Sequence, residues 1–229
     1  MTDCEQASWP NLVSHEADTS LWPVKIERAN SHTPFDELAK LLGAVNAHTY
    51  QPFFPGENLE NFVTQEWIDA KARTFERRAL GEAGYQDPTT IAVSAESSKN
   101  ANSDHRSKVW VAYFGQAIIG MASTEPASPT ETVIANLHIV PTYQRKSIGK
   151  ALLTEALEAA GERDMLVHTH NETAGDFYRK FCFEETGYVE TVMMFGALPT
   201  TQTTFRLARL NKAVALERIH ATSEARLGS

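Results

Sequence analysis

The chain is poor in several things, and each shortage narrows the field. It has only two cysteines in 229 residues, Cys4 and Cys182. They stand in a polar N-terminal stretch and at a predicted helix end, which suits reduced thiols in a cytosolic protein and gives neither a disulfide framework nor a metal-ligand spacing. Basic charge is short as well: 21 Lys plus Arg against 29 Asp plus Glu, a formal charge of −8. That balance disfavours nucleic acid as a partner and mildly favours a cationic one. No apolar run approaches the roughly 20 residues that span a bilayer, and the opening MTDCEQASWP lacks a basic segment followed by an apolar core. No membrane partner and a cytoplasmic location are therefore expected. There is no internal repeat.

Hydrophobic residues make up 42% of the chain, enough for a buried core in one domain with appendages. Residues 1–21 are polar and without a sustained period, and predict a flexible tail, with Trp9 or Trp22 as its possible anchor. WPVKI at 22–26 alternates as a first strand. Thr33, Pro34 and Asp36 then read as N-cap, first helical residue and first-turn acid of a helix carrying Leu38, Leu41, Leu42, Val45 and His48. YQPFFPG at 50–56 is a loop whose Phe53 and Phe54 are either satellite core or pocket lining. A second amphipathic helix is predicted over 59–80, with Glu66, Asp69 and Glu76 on its solvated face.

TIAVSA at 90–95 predicts a short strand, and 96–107 a polar, flexible insertion. Residues 109–113 and 117–122 flank Phe114, Gly115 and Gln116 as a hairpin. Gly120 in its second arm suggests a bulge or a close backbone approach, and 125–130 reads as a loop. A strand is predicted at 165–169, a helix capped by Asn171, strands at 188–195 and 203–207, and a C-terminal extension over 209–229 with a short helix.

Chemistry concentrates in residues 133–153, VIANLHIVPTYQRKSIGKALL. A β-branched run ends at Pro141, and from Ser147 the apolar residues Ile148, Leu152, Leu153, Ala156 and Leu157 recur at helical spacing. A strand that turns into a helix start leaves backbone N–H groups unpaired at the positive end of the helix dipole, a site for an anion such as phosphate. Arg145, Lys146 and Lys150 either support that anion or are ordinary exposed charges. The loop is not a Walker A loop, and its single Gly149 is not a dinucleotide fingerprint.

The segment Gln144, Arg145, Lys146, Ser147, Ile148, Gly149 resembles the Q/R-x-x-G-x-G/A signature of the GNAT superfamily of acyl-coenzyme A-dependent N-acyltransferases. The order of neighbouring motifs strengthens the likeness: a hairpin over 111–122 before it, an L-x-V/I strand end before Pro141, and Asn171, Ala174, Phe177, Tyr178 and Phe183 after it, in the pattern N-x-x-A-x-x-F-Y-x-x-x-G-F. It covers about 108–188 well, and the earlier elements in order only. The resemblance implies an α+β GNAT acyltransferase fold: one domain over 22–208 with a mixed central β-sheet of about seven strands, flanked by helices and splayed between strands 4 and 5. It implies N-acetyl transfer from acetyl-CoA, with no metal, to a primary amine of a small molecule or peptide, by a monomer or homodimer. A non-catalytic acyl-CoA-binding or sensor protein is the alternative.

Residue by residue, the likeness places Gln144, Arg145, Lys146, Ser147, Ile148, Gly149 and Lys150 on the pyrophosphate, Leu137, His138 and Ile139 along pantetheine, Asn171 on a pantetheine amide, and Tyr178 as general acid. Read from the residues alone, Asn171 is a helix N-cap and Tyr178 a core tyrosine. Ser147 and Cys182 stand where the family has glycines, and Val133 where many members carry a carboxylate. Candidates for the base are His138 and Asn136 on one strand face, His168 and His170 on the next strand, Glu131, or a water chain. The implied acceptor pocket lies between 47–80 and 195–204, where Glu66 or Asp69 would suit a cationic amine.

Overall fold

A computed structural model describes residues 24–80 and 106–224. The expected tail, the strand at 90–95, nearly all of the insertion at 96–107, Trp22 and Cys4 lie outside the described residues.

The organising element is a seven-stranded sheet in the order β1-β2-β3-β4-β5-β7-β6, built from β1 (Val24–Arg28), β2 (Lys108–Phe114), β3 (Ala117–Ser128), β4 (Glu131–Ile139), β5 (Asp164–Thr169), β6 (Glu184–Met194) and β7 (Leu198–Leu207). Every pairing is antiparallel except β4 with β5, which is parallel. A parallel pair needs a crossover, and α3 (Ile148–Ala159) supplies it. The parallel ladder is short: it pairs Glu131 through Ile134 with Asp164 through Val167 and stops, while β4 continues to Ile139. Two features account for the parting. Ala135 is skipped in the pairing with β3, where Thr124 faces Ile134 and Ser123 faces Asn136, and such a bulge bends its strand. On the other side, β5 stays with β7 through His168–Thr204 and Thr169–Thr203. The expected splay between the fourth and fifth strands is therefore present.

Helices cover both faces, which explains why β2 is buried along its length rather than at alternate positions. On one face Leu152, Leu153, Ala156 and Leu157 of α3 pack with Ala122, Ile134, Met165 and Val167, together with Tyr178 and Phe181 at α4 (Glu172–Arg179). On the other, Leu38 and Leu42 of α1 (Phe35–Tyr50) and Phe75 of α2 (Gln65–Leu80) meet Val109, Val111 and Met121. Each fully buried leucine of this kind contributes roughly 1.5–3 kcal/mol. The C-terminal extension is not a separate appendage, because α5 (Lys212–Glu224) buries Ala215 and Ile219 in the α3 core. Among the described residues, no helix is long and apolar enough to cross a membrane.

Several predicted boundaries move. Thr33 does not cap α1; its hydroxyl accepts from the Asn30 amide at 2.9 Å, and Pro34 occupies the cap position. The single helix expected over 59–80 is a 3-10 turn, Leu59–Phe62, followed by α2, because Thr64 starts a new helix by accepting from the Trp67 amide at 3.2 Å. The loop expected at 125–130 is mostly strand: β3 runs to Ser128, tolerating Pro126 where its register with β4 slips. β6 likewise begins four residues before the predicted Tyr188.

The bulge and the close approach suggested by Gly120 both occur. Ile119 is the extra residue opposite β2, and a Cβ on Gly120 would lie 3.0 Å from the His138 carbonyl oxygen. Backbone cannot yield as a side-chain tip can. Gly120→Ala is therefore expected to lower stability by about 1–3 kcal/mol, read from the midpoint of urea unfolding at unchanged m.

Candidate active site

The junction after β4 carries the first part of the site. Pro141–Tyr143 forms a 3-10 turn, and α3 starts at Ile148, with its first intrahelical bond running from the Ala151 amide to the Ser147 carbonyl at 3.1 Å. The amides of Ile148 and Gly149 precede that bond and have no carbonyl within the helix to meet. Ser147 has φ 64° and Arg145 φ 60°, left-handed conformations that cost a non-glycine residue on the order of 1 kcal/mol each. Ser147 thus holds the backbone that a glycine would hold there. Its side chain makes no capping bond to α3. A Cβ on Gly149 would sit 3.2 Å from Ile139 Cδ1, so glycine lets the helix start lie directly on the end of β4.

The second part is the unpaired edge of β4. Leu137 and Ile139 turn their side chains to the α3 core, while His138 pairs with Met121 and faces α1. The Val140 amide donates to Ile119 on β3 at 2.9 Å, and alternation along the strand then aims the Ile139 amide into the gap left by β5. The Ile139 carbonyl is occupied by Gln144, whose Nε2 donates to it at 3.1 Å. Gln144 therefore braces the loop against the strand end.

His138 keeps some solvent contact, yet burial pushes its pKa down to about 4. The unfolded chain takes up this proton near pH 6.5 and the folded chain does not, so stability falls as pH drops from 6.5 towards 4. The fall should be on the order of 2 kcal/mol after allowing for partial exposure. His138→Gln should flatten that limb in unfolding curves recorded across the window.

The third part is α4. Asn171 caps it, its Oδ1 accepting from the Ala174 amide at 2.7 Å, which leaves the carboxamide N–H groups to point elsewhere. Three residues past the helix, the chain closes in a Schellman arrangement: the Phe183 amide donates to the Tyr178 carbonyl at 3.3 Å and the Cys182 amide to the Arg179 carbonyl at 3.2 Å. Cys182, a free thiol, takes the left-handed position at φ 65°. The Tyr178 ring is clamped by Phe177 and Phe183, each at 5.3 Å between centroids, and is 5% exposed. Burial, with a smaller effect of Tyr50, pushes its phenol well above the usual value.

Sequence reasoning did not pair Tyr50 with His170. Tyr50, at the end of α1, interacts with Tyr178 and packs edge-on against His170 at 5.3 Å. α1 belongs to one core and α4 to the other, and the two phenols interact electrostatically. His170 Nδ1 lies 3.1 Å from the Thr201 carbonyl, and His168 Nδ1 lies 2.8 Å from Thr204 Oγ1. Burial lowers the pKa of both histidines. Glu190 on β6 accepts from Gln202 Nε2 and, at 3.4 Å, from the Tyr188 hydroxyl. At the β6–β7 turn, Phe195 stacks on Phe62 at 6.1 Å and tilts against Trp67 at 5.9 Å, tying the hairpin tip to the α1–α2 connection. The alternation of Leu166, His168 and His170 against buried Met165, Val167 and Thr169 was the available signal for the histidines. Phe195 and Tyr50 fell within the segments 195–204 and 47–80 expected at the acceptor pocket, without being singled out.

Other expectations are corrected. Glu131 is at the far end of β4, about 26 Å of strand from Ile139, and is engaged by Ser128 at 3.3 Å. It cannot serve the gap. Asn136 is committed to Ser123 Oγ at 2.8 Å. Glu66 and Asp69 are exposed on α2, as their reading as a solvated face expected, and Asp69 accepts from Gln65 at 2.6 Å. Phe53 is 52% exposed and lies against Tyr50, so it is not satellite core. A groove of about 870 Å³ runs between α1 and the ends of β3 and β4, past His48, Gln51, Val140 and Pro141.

Similarity to known proteins bears on this arrangement. The family model of the acetyltransferase (GNAT) domain matches residues 105–185. No curated protein matches the chain significantly. Among solved structures, the PaiA N-acetyltransferase from Thermoplasma acidophilum, in complex with coenzyme A, is 16% identical with a TM-score of 0.53, over 79% of this chain and 97% of its own. A GNAT family acetyltransferase from Elizabethkingia anophelis with acetyl-CoA bound is 16% identical with a TM-score of 0.46, over 81% and 97%. The matched segment runs from β2 through α4 into β6 and contains the splay, the helix start and Tyr178: this part of the chain is similar to the acetyltransferase (GNAT) domain, and the seven-stranded sheet shares the fold of the PaiA N-acetyltransferase.

Proposed function

We propose that the protein is an acetyl-CoA-dependent N-acetyltransferase that acetylates a primary amine of a small molecule or peptide. The observation that carries this reading is the continuity of the unpaired β4 edge with the α3 N-terminus, with Tyr178 buried in the same core as that helix. Coenzyme A fits the donor set. Its pyrophosphate needs convergent N–H groups, which Ile148 and Gly149 offer at the positive end of α3, in a cradle that a Cβ at position 149 would narrow. Its pantetheine is an extended amide chain, which can add to the edge of Leu137, His138 and Ile139 as a strand would. The Asn171 carboxamide N–H groups suit a pantetheine carbonyl.

Acetyl-CoA supplies the activated acyl group. The chain's own residues then hold and move protons and charge. The Ile139 amide faces the gap and can donate to an oxygen that gains negative charge there. Tyr178 stays protonated at neutral pH because its pKa is raised, so it is present as the acid throughout the working range. Full ionisation to a thiolate of ordinary pKa, near 8.5, is uphill, so proton donation has to accompany departure of the sulfur. The non-transferring alternative rested on Val133, Ser147 and Cys182. Ser147 and Cys182 keep left-handed backbones in place of glycine, which weakens their part of that motive, while Val133 still offers no carboxylate. The test is calorimetry with acetyl-CoA together with thiol-release assays over tyramine, benzylamine, polyamines and short peptides with free N-termini. Absence of binding at high micromolar acetyl-CoA would sink the proposal, and binding without transfer to any amine would favour the sensor reading.

A further inference from the structure

A base for the amine is missing from the motif-matched residues, since Val133 stands where a carboxylate is common and Glu131 is at the wrong end of its strand. We propose that His170 is the catalytic base of the acceptor side, taking the amine proton on Nε2 while the Thr201 carbonyl fixes the ring in the Nδ1–H tautomer. This rests on the acetyltransferase reading above. The geometry is specific. A backbone carbonyl can only accept, so the nitrogen 3.1 Å from it, Nδ1, must be the one that carries hydrogen in the neutral ring. Nε2 then holds the lone pair, and among the described residues it has no hydrogen-bond partner. His170 sits at the end of β5, where the parallel ladder has already been lost, half-buried against Tyr50. Tyr50 in turn interacts with Tyr178. Tyr50 therefore packs on the proposed base and interacts electrostatically with the proposed acid.

The charged and titratable groups around the ring are consistent with a neutral base. His168 on β5 opposes its protonation, Glu190 on β6 and the Thr201 carbonyl on β7 favour it, and Tyr50 on α1 is itself held neutral by burial, with its pKa pushed up to about 12. Desolvation outweighs the rest and lowers the pKa of His170, so the ring is unprotonated at neutral pH. His168 is the weaker candidate, because its Nδ1 faces a hydroxyl that can donate or accept and fixes no tautomer. In the step itself the amine nitrogen forms the C–N bond and gives its proton to His170 Nε2. The C–S bond breaks and the sulfur takes the Tyr178 proton. Solvent then removes the proton from His170 and returns one to Tyr178, so that charge balances over the cycle.

The experiment compares wild type with His170→Gln and His168→Gln, using the best acceptor of the amine panel, over about pH 5 to 9. His170→Gln is expected to lose about 100-fold in kcat at neutral pH, to lose the histidine limb of the pH profile, and to keep acetyl-CoA affinity and melting temperature. His168→Gln should stay within about threefold. Retention of kcat and of the limb in His170→Gln would overturn the assignment, as would loss of activity that tracks a fall in melting temperature. Imidazole 15N chemical shifts of the wild-type protein give a readout without turnover: protonated Nδ1 is expected, and protonated Nε2 overturns the proposal. Failure of wild type to acetylate any amine would instead overturn the acetyltransferase reading, and the base assignment with it.

Discussion

Tyr178→Phe is expected to lower kcat about 100-fold while the dissociation constant for acetyl-CoA changes by less than about threefold. The two halves of this expectation have separate physical grounds. The ring is held by Phe177, Phe183 and the closure at Cys182, all of which phenylalanine preserves, so the fold and the cofactor cleft have no reason to shift. What disappears is the hydroxyl, which forms no hydrogen bond with another described residue. A 100-fold loss corresponds to about 2.7 kcal/mol of transition-state stabilisation, within the range for removing one proton donor. If Tyr178 were only a core tyrosine, the variant would lose stability or nothing, and kcat would stay near the wild-type value. Pre-steady-state thiol release separates the cases, because a lost acid slows the chemical step itself.

Ser147→Asp should weaken acetyl-CoA binding about 100-fold and leave the protein as stable as wild type or slightly more so. Aspartate is among the best residues at a helix N-cap, tolerates φ > 0 better than most side chains, and places negative charge at the positive end of α3. On stability alone the substitution is favourable by a few tenths to about 1 kcal/mol. The same charge stands where a pyrophosphate would be held. At about 5 Å and an effective dielectric near 20, repulsion between two unit charges is about 3 kcal/mol, which gives the hundredfold loss. Opposite signs for stability and affinity make the result hard to mimic by misfolding. Calorimetry at two salt concentrations checks it further, since the loss should shrink as screening increases. Equal affinity in wild type and variant would place the pyrophosphate elsewhere.

Much of this site was legible in the sequence because its parts are local. The helix start at Ser147, the cap at Asn171 and the order of β4, α3, β5 and α4 depend on residues a few positions apart, where capping preferences and periodicity act directly. Even the strain at Ser147 and Cys182 followed from noticing side chains where the motif has glycine. The element ends were less legible. Thr64 divides the segment 59–80 because its cap bond outcompetes helix continuation, and β3 passes through Pro126 because its register with β4 shifts there.

The sequence by itself determined a sheet-and-helix domain with a helix start after a β-branched strand, and a tyrosine and an asparagine on the following short helix. Tertiary structure alone decided the rest. The bulge at Ala135 and the loyalty of β5 to β7 open the gap; Tyr50 packs against His170; Phe195 at a hairpin tip finds Phe62 and Trp67. His170 stands out from His138 and His168 only through a carbonyl 31 residues away. Spacing along the chain encodes local hydrogen bonds and amphipathic faces. The ionisation and orientation of a side chain depend on what distant strands bring against it, and that becomes defined only when the sheet has closed its register.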